Sequence, residues 1–321
     1  MPIRVSVVVP TSNRPDLLER CLACLVDQDL EADEYEIIIA DDAASELTRR
    51  QIERWAGRLP VAVRYFPVAH TDGPGAARNA GWRAARGKII AFTDDDTIPT
   101  RSWLREGIAV FVDGIAGAWG KIIMPLPNPP TDYERDAAGL ASAEFVTANC
   151  FYRRDALEAV GGFDERFRFP WREDSDLFFT MVEHRLQLTC APNAVVIHPI
   201  RPAPWGVSLQ QQRKTMFDAL LYHKHPRLYR QRIPAFPQIY YGIVGALGIA
   251  LGAWWRGQKP VALGAGALWA LLTARFCARR LHGTSGAPAH VAEMILTSAL
   301  IPPVSFYWHW RGAVKFRTFF L

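Results

Sequence analysis

Cysteine is scarce, five in 321 residues, and the count is odd with no short-range pairing framework. That excludes a disulfide-stapled scaffold and fits a reducing compartment. Cys21 and Cys24 form a C-x-x-C, but no second pair completes a zinc site. They share an i, i+3, i+4 apolar face with Leu17, Leu18, Leu22 and Leu25, which is the pattern of core packing. A secretory signal is also missing: in MPIRVSVVVPTSNRP the apolar run is short, rich in β-branched residues and stopped by Pro10, as in a buried first strand. No internal repeat is present. Acidic side chains nearly vanish after residue 200, where Asp218 and Glu293 stand against 15 Lys+Arg, a net of +13. Of the chain's 37 Lys+Arg and 32 Asp+Glu, 22 and 30 therefore fall in residues 1–200, a net of −8 hidden inside the overall +5. Because the basic part is also the apolar part, this split favours a membrane surface over nucleic acid as partner.

Residues 1–100 alternate strand and helix. A β-branched run at 5–9 reads as a strand covered on both faces. Thr11-Ser12-Asn13 offers turn and cap chemistry, and Pro15 suits the first turn of a helix running to about residue 28. A second strand at 36–40 ends on Asp41-Asp42, a helix follows over 45–56, and a third strand covers 61–66. Gly73-Pro74-Gly75 opens another helix, and a fourth strand at 88–93 ends on Asp94-Asp95-Asp96. Repeated β-α units imply an α/β fold with a largely parallel sheet, whose ligands bind beyond the carboxyl ends of the strands. Both acidic clusters fall at that edge.

Further strands are expected at 118–123, 145–152 and 194–198, with a Pro-rich loop at 125–131. Three parts are expected: an α/β domain over 1–205, an amphipathic interfacial segment over 206–234, and a transmembrane or re-entrant helical region over 235–321. Leu209, Met216, Phe217, Leu220 and Leu221 make the apolar face of the middle part, a pattern that a helix packed on protein would share. Residues 235–255 lack formal charge over 21 positions, about the ~20 needed to span a bilayer, and are flanked by Tyr240, Tyr241, Trp254 and Trp255. Residues 260–274 form a second, shorter uncharged run. A third, 294–310, is broken by Pro302-Pro303; as a span it would put Arg311, Lys315 and Arg317 outside, so it reads as re-entrant or interfacial.

Three adjacent carboxylates at a strand end repel one another unless a cation sits among them. Hard oxygen ligands suit Mg²⁺ or Mn²⁺, which bridge substrate phosphates; a solvated acidic loop is the alternative. A carboxylate of Asp41-Asp42 could accept from a base N–H or a ribose hydroxyl, or cap a helix. Gly73, Gly75 and Gly81 have the wrong spacing for a dinucleotide loop. Arg78 can hold a phosphate or carboxylate bidentately. Trp171-Arg172-Glu173-Asp174-Ser175-Asp176 precedes a helix expected over 177–183, where acids suit the dipole; a carboxylate there could equally act as general base, and spacing leaves both open.

The segments VSVVVPTSNRPDLLERCL, EIIIADDAAS, GPGAARNAGWRAARGKIIAFTDDDTIP and TANCFYRRDALEAVGGFDERF, followed by Glu173-Asp174, resemble family 2 glycosyltransferases of the GT-A fold over about residues 3–200. The resemblance implies inverting transfer of a sugar from a nucleotide-diphosphate donor, with a divalent metal on the diphosphate. By motif position it implies that Pro10, Thr11 and Arg14 line the nucleotide pocket with Asp94 and Asp95, that Asp42 contacts the nucleobase, and that Arg78 contacts the nucleotide. Asp94 and Asp96 match the D-x-D metal pair, His198 a position that sometimes adds a metal ligand, and Asp174 the acceptor's base, with Trp171 and Glu173 beside the diphosphate or acceptor. Gln210-Gln211-Gln212-Arg213-Lys214 is similar to the Q-x-x-R-W signature of processive members, but Lys214 replaces the Trp; Arg213 is a candidate for the departing diphosphate.

The expected protein is a membrane-associated glycosyltransferase whose acceptor is a lipid or lipid-linked glycan and whose catalytic domain faces the cytoplasm, from the inner or cytoplasmic membrane if the cell is bacterial. The alternatives are a transferase with a merely anchoring tail and a soluble glycan acceptor, and a non-catalytic nucleotide-sugar-binding partner subunit. Donor sugar, nucleobase and homo-oligomeric state are left open.

Overall fold

The computed structural model describes residues 3–57, 60–68 and 73–319. The chain divides into two compact units, Met1–Pro125 with Gly139–Ile200, and Leu126–Ala138 with Arg201–Leu321.

The first unit is built on eight strands: β1 Val5–Thr11, β2 Tyr35–Asp41, β3 Ala62–Pro67, β4 Ile89–Phe92, β5 Ile98–Pro99, β6 Ile115–Ile123, β7 Cys150–Arg153 and β8 Gln187–Ile197. They form one sheet in the order β3-β2-β1-β4-β7-β6-β8-β5. The β-α half, β3-β2-β1-β4, is parallel throughout, as the alternating pattern predicts. β7 runs antiparallel between β4 and β6, and β5 antiparallel to β8, so the sheet is mixed. The expected strand at 145–152 shrinks to β7, because Phe145 has φ 54° and Thr147–Asn149 forms a 3₁₀ turn. Buried Val5, Val7, Val9, Ile37 and Ile39 pack with Leu18, Cys21, Leu22 and Leu25 of the helix Pro15–Val26. Cys21 is thus core, and burial pushes its thiol far up. The helix Pro74–Ala84 lies so close to β1 that a Cβ at Gly81 would stand 2.4 Å from Val8 Cγ1. That close approach seats the helix directly behind the strand ends.

The second unit is helical. The Pro-rich stretch expected as a loop leads into a helix, Asp132–Ala137, with a capping box between Thr131 and Glu134. Asp132 accepts from Arg280 Nε at 2.9 Å and from Arg135 Nη2 at 3.0 Å. The segment 206–234 is not one amphipathic helix but a run of short ones, including Val207–Gln211, Met216–Lys224 and Pro226–Arg232. Its apolar residues Met216, Phe217, Ala219, Leu220 and Leu221 are buried, and Ala219 packs on Ala313. Three long helices follow: Gln238–Trp255, Lys259–Leu281 and Pro288–Lys315. The first starts later than the uncharged run because Pro237 caps it, and it spans 18 residues. By length and composition, the second and third can each cross a membrane. Pro302-Pro303 does not end the third helix, which continues through both prolines.

Candidate active site

The carboxyl ends of β1, β2 and β4 bring the sequence's acidic clusters together. At β2 the two aspartates divide their work. Asp41, fully buried, accepts from the N–H groups of Ala43 and Ser45 and from the Tyr65 hydroxyl, at 2.8–3.1 Å. It fixes the turn, so of the Asp41-Asp42 pair it is Asp41 that takes the capping role. Asp42 stands half-buried at the edge, its backbone N–H donating to the Thr11 carbonyl at 2.9 Å.

The Asp94-Asp95-Asp96 turn separates three environments. Asp95 points inward: Thr11 Oγ1 donates to its Oδ2 at 2.8 Å and Arg14 Nη1 to its Oδ1 at 3.2 Å. Burial pushes its carboxyl up to about 6 against the pull of Arg14 and Thr11. Thr11, Arg14 and Asp95, each expected on the nucleotide, are therefore bound to one another, and this triad fixes the β1 and β4 ends in register. Pro10 is half-buried one residue before the end of β1. Asp94 accepts from Arg78 Nη2 at 2.8 Å.

Asp96 faces His198 instead. The His198 backbone N–H donates to the Ile123 carbonyl at 2.8 Å, which places the ring just beyond the ends of β6 and β8. His198 Nε2 lies 3.6 Å from Asp96 Oδ1, too far for a hydrogen bond but a normal separation for two ligands of one ion. Ligand atoms of Asp94, Asp96 and His198 all lie within 4.8 Å of one another. Two carboxylate oxygens and an imidazole nitrogen at a half-open edge fit a divalent cation such as Mn²⁺ or Mg²⁺.

Arg78 ties two acidic groups of the site together. Its side chain is 4% exposed, and its Nη1 donates to Glu173 Oε1 at 3.3 Å while Nη2 holds Asp94. An enclosed guanidinium with both terminal nitrogens on carboxylates clamps the acidic turn to the helix Glu173–Glu183. The signal for this was present: Arg78 sits among Ala76, Ala77 and Ala80 in a helix whose small residues pack on β1, and a buried Arg requires carboxylate partners. Arg172, at φ 75°, turns the chain sharply into that helix, its guanidinium 4.4 Å over the Trp171 ring. Glu173 is buried, and desolvation together with the neighbouring Asp174 pushes it up to about 8. Asp174 is half-buried and is also raised by burial, offset in part by the Ser175 N–H on its Oδ1 at 2.7 Å and by Arg172. Both of its hydrogen bonds fall on Oδ1, so Oδ2 remains able to accept a proton. Arg213 is exposed in the second unit.

A mixed α/β sheet with carboxylates gathered at its carboxyl edge and a helix-borne acid beside them defines a GT-A glycosyltransferase. Residues 6–161 match the sequence profile described as Glycosyl transferase family 2, so that segment carries a domain of the family. Among curated relatives it is similar to Glycosyltransferase AglE of Haloferax volcanii, 27% identical over 223 residues, 65% of this chain and 70% of that protein. It is also similar to the pre-mycofactocin glycosyltransferase of Mycobacterium tuberculosis, 30% identical over 214 residues, covering 61% of this chain but 43% of the relative. Among solved structures, the mannosyltransferase PcManGT from Pyrobaculum calidifontis, in complex with GDP-Man and Mn2+, superposes with a TM-score of 0.57 at 19% identity, covering 99% of this chain and 89% of that one. S. aureus TarS superposes with a TM-score of 0.52 at 16% identity, covering 95% of this chain and 55% of that one.

Proposed function

We propose that this chain transfers a glycosyl unit from a nucleoside-diphosphate sugar to a hydroxyl of a lipid or lipid-linked acceptor at a membrane, with inversion at the anomeric carbon. The observation that carries the chemistry is the grouping of Asp94, Asp96 and His198 at the sheet's carboxyl edge, tied through Arg78 to the segment that presents Asp174. Support for the donor class comes from the neighbour solved in complex with GDP-Man and Mn2+. The lipid part rests on the apolar helices of the second unit.

Asp94, Asp96 and His198 would hold a divalent cation, whose charge neutralises the diphosphate leaving group. Asp42, at the end of β2, faces the nucleobase, while Pro10 and the Thr11–Arg14–Asp95 triad form the floor beneath the nucleotide. Asp174 Oδ2 takes the proton of the acceptor hydroxyl as the acceptor oxygen bonds to the anomeric carbon and the bond to the diphosphate oxygen breaks on the opposite face. Burial around Asp174 strengthens it as a base relative to an exposed aspartate, since a raised pKa marks a higher proton affinity. Arg78 keeps Asp94 and Glu173 in place and thereby sets the distance between cation and base. Trp171 and Arg172 form the rim of the acceptor side. Arg213 is assigned no part in the step.

The test is a screen for nucleoside-diphosphate release over UDP-, GDP- and TDP-sugars with Mn²⁺ or Mg²⁺, with and without added membrane lipid. Metal-dependent release that rises with a lipid acceptor is expected. Turnover confined to soluble glycans would refute the lipid part, and metal-independent or absent release with every donor would refute the chemistry.

A further inference from the structure

Two helices of the second unit can cross a bilayer by composition, Lys259–Leu281 and Pro288–Lys315, yet their neighbours treat them differently. The helix Pro288–Lys315 is accompanied along its length by the segment 205–219. Trp205 Nε1 donates to the Ala289 carbonyl at 3.4 Å, and the Gly206 N–H donates to Glu293 Oε1 at 2.7 Å. Further along, Leu209 joins Ile301 in one apolar cluster, Met216 touches Gly312 through its backbone, and Ala219 packs on Ala313. Near its third turn, buried Arg280 donates to Thr297 Oγ1 at 2.7 Å and Ser298 Oγ at 3.2 Å while paired with Asp132. From Glu293 to Gly312 the helix rises about 28 Å, nearly the ~30 Å of a hydrocarbon core. Were it to cross, Gln210-Gln211-Gln212-Arg213-Lys214 and the Arg280–Asp132 pair would be carried to membrane depth. The opposite face of the same helix shows a stripe of exposed Leu296, Leu300, Tyr307 and Val314. An apolar stripe opposite a polar companion suits a helix lying in the headgroup plane.

The helices Gln238–Trp255 and Lys259–Leu281 pack along each other as a hairpin joined at Arg256-Gly257-Gln258. Their outer faces expose Leu251, Trp254, Trp255, Leu263, Leu268 and Leu271. At 18 and 23 residues they measure about 27 and 34 Å, which brackets the ~30 Å core. Tyr240-Tyr241 and Trp254-Trp255 sit at the two ends of the first helix, as interface aromatics do.

Resting on the reading that the protein is membrane-attached, we propose that the bilayer takes the 238–281 hairpin as a pair of spans. The tip, Arg256–Lys259, reaches the far face, and Pro288–Lys315 lies in the near interface with residues 205–232. Lys224, Arg227, Arg230 and Arg232 flank the hairpin base against two cations at its tip, so the near face is the cytoplasmic one. The pair 259–281 and 288–315 would instead place the connecting loop on the far face, which distinguishes the two arrangements.

The test introduces Gln258→Cys, Gly286→Cys or Thr318→Cys singly into the full chain carrying Cys190→Ser, which removes an exposed native thiol. A Cβ at Gly286 meets nothing within 4 Å, so that position tolerates the change. Sealed right-side-out and inside-out vesicles are labelled with a membrane-impermeant maleimide and the modified peptides read by mass spectrometry. Labelling of position 258 only in right-side-out vesicles, and of 286 and 318 only in inside-out ones, is expected. Position 286 labelling on the face opposite 258 and 318 overturns the proposal in favour of the other helix pair. All three labelling from one face overturns it because nothing crosses. Release of the chain by carbonate washing is a separate result that removes the membrane reading itself.

Discussion

Replacing Arg78 with methionine tests whether one guanidinium organises both halves of the site. Its side chain is 4% exposed and holds Asp94 at 2.8 Å and Glu173 at 3.3 Å. Breaking a buried ion pair by removing one partner costs about 3–5 kcal/mol, because the remaining charge is stranded. Here the cost falls at the lower end, about 3 kcal/mol. Asp94 is 26% exposed and keeps some water around its charge. For a unit of this size that corresponds to a fall in melting temperature of roughly 6–12 °C. Adding Glu173→Gln to Arg78→Met recovers part of the loss, since the double variant leaves one fewer orphaned carboxyl; the coupling is read from a double-mutant cycle by thermal unfolding. Glycosyl transfer by Arg78→Met falls at least 100-fold in the same preparations, because Asp94 and the Asp174 segment lose their common anchor. An Arg78→Met protein that melts within about a degree of wild type and keeps its turnover would refute the clamp.

Two further outcomes follow from the same geometry. Asp174 accepts a proton only when ionised, and burial raises its pKa above the ordinary 3.8; the rate therefore falls as pH drops through a midpoint higher than an exposed aspartate's, and an acid limb near or below 3.8 would contradict the assignment. His198→Ala removes one of three grouped donors, so the Mn²⁺ concentration for half-maximal activity rises about 10–100-fold with little change in melting temperature, measured by metal titration after chelation. An unchanged metal requirement would take His198 out of the site.

The sequence made the first half of the sheet and the position of the acidic edge legible for a simple reason. β-branched runs ending in Asp41-Asp42 and Asp94-Asp95-Asp96 are local signals, and parallel β-α units place all such ends on one edge. Pairings between distant segments were not legible. Thr11 and Arg14 are 84 and 81 residues from Asp95, and Arg78 is 95 residues from Glu173, so no local signal announces these contacts. β7 defeated the period-based reading because its antiparallel placement follows from the sheet, not from its own four residues. In the second unit, the apolar positions at 216–221 pointed equally to lipid and to protein, and the packing of Ala219 on Ala313 decides for protein. Pro302-Pro303 looked like a break, yet helix packing carries the chain through both prolines despite two missing backbone donors.

The account's central claim is that Asp174 is the base of a metal-dependent transfer while the nucleotide is held elsewhere. The direct measurement compares wild type with Asp174→Asn for product formation from the preferred donor and for equilibrium binding of the matching nucleoside diphosphate with Mn²⁺. The account predicts a loss of turnover of about 10²–10⁴-fold or more, with diphosphate affinity nearly intact. Undiminished turnover in Asp174→Asn, or a loss of turnover matched by an equal loss of diphosphate binding, would contradict it.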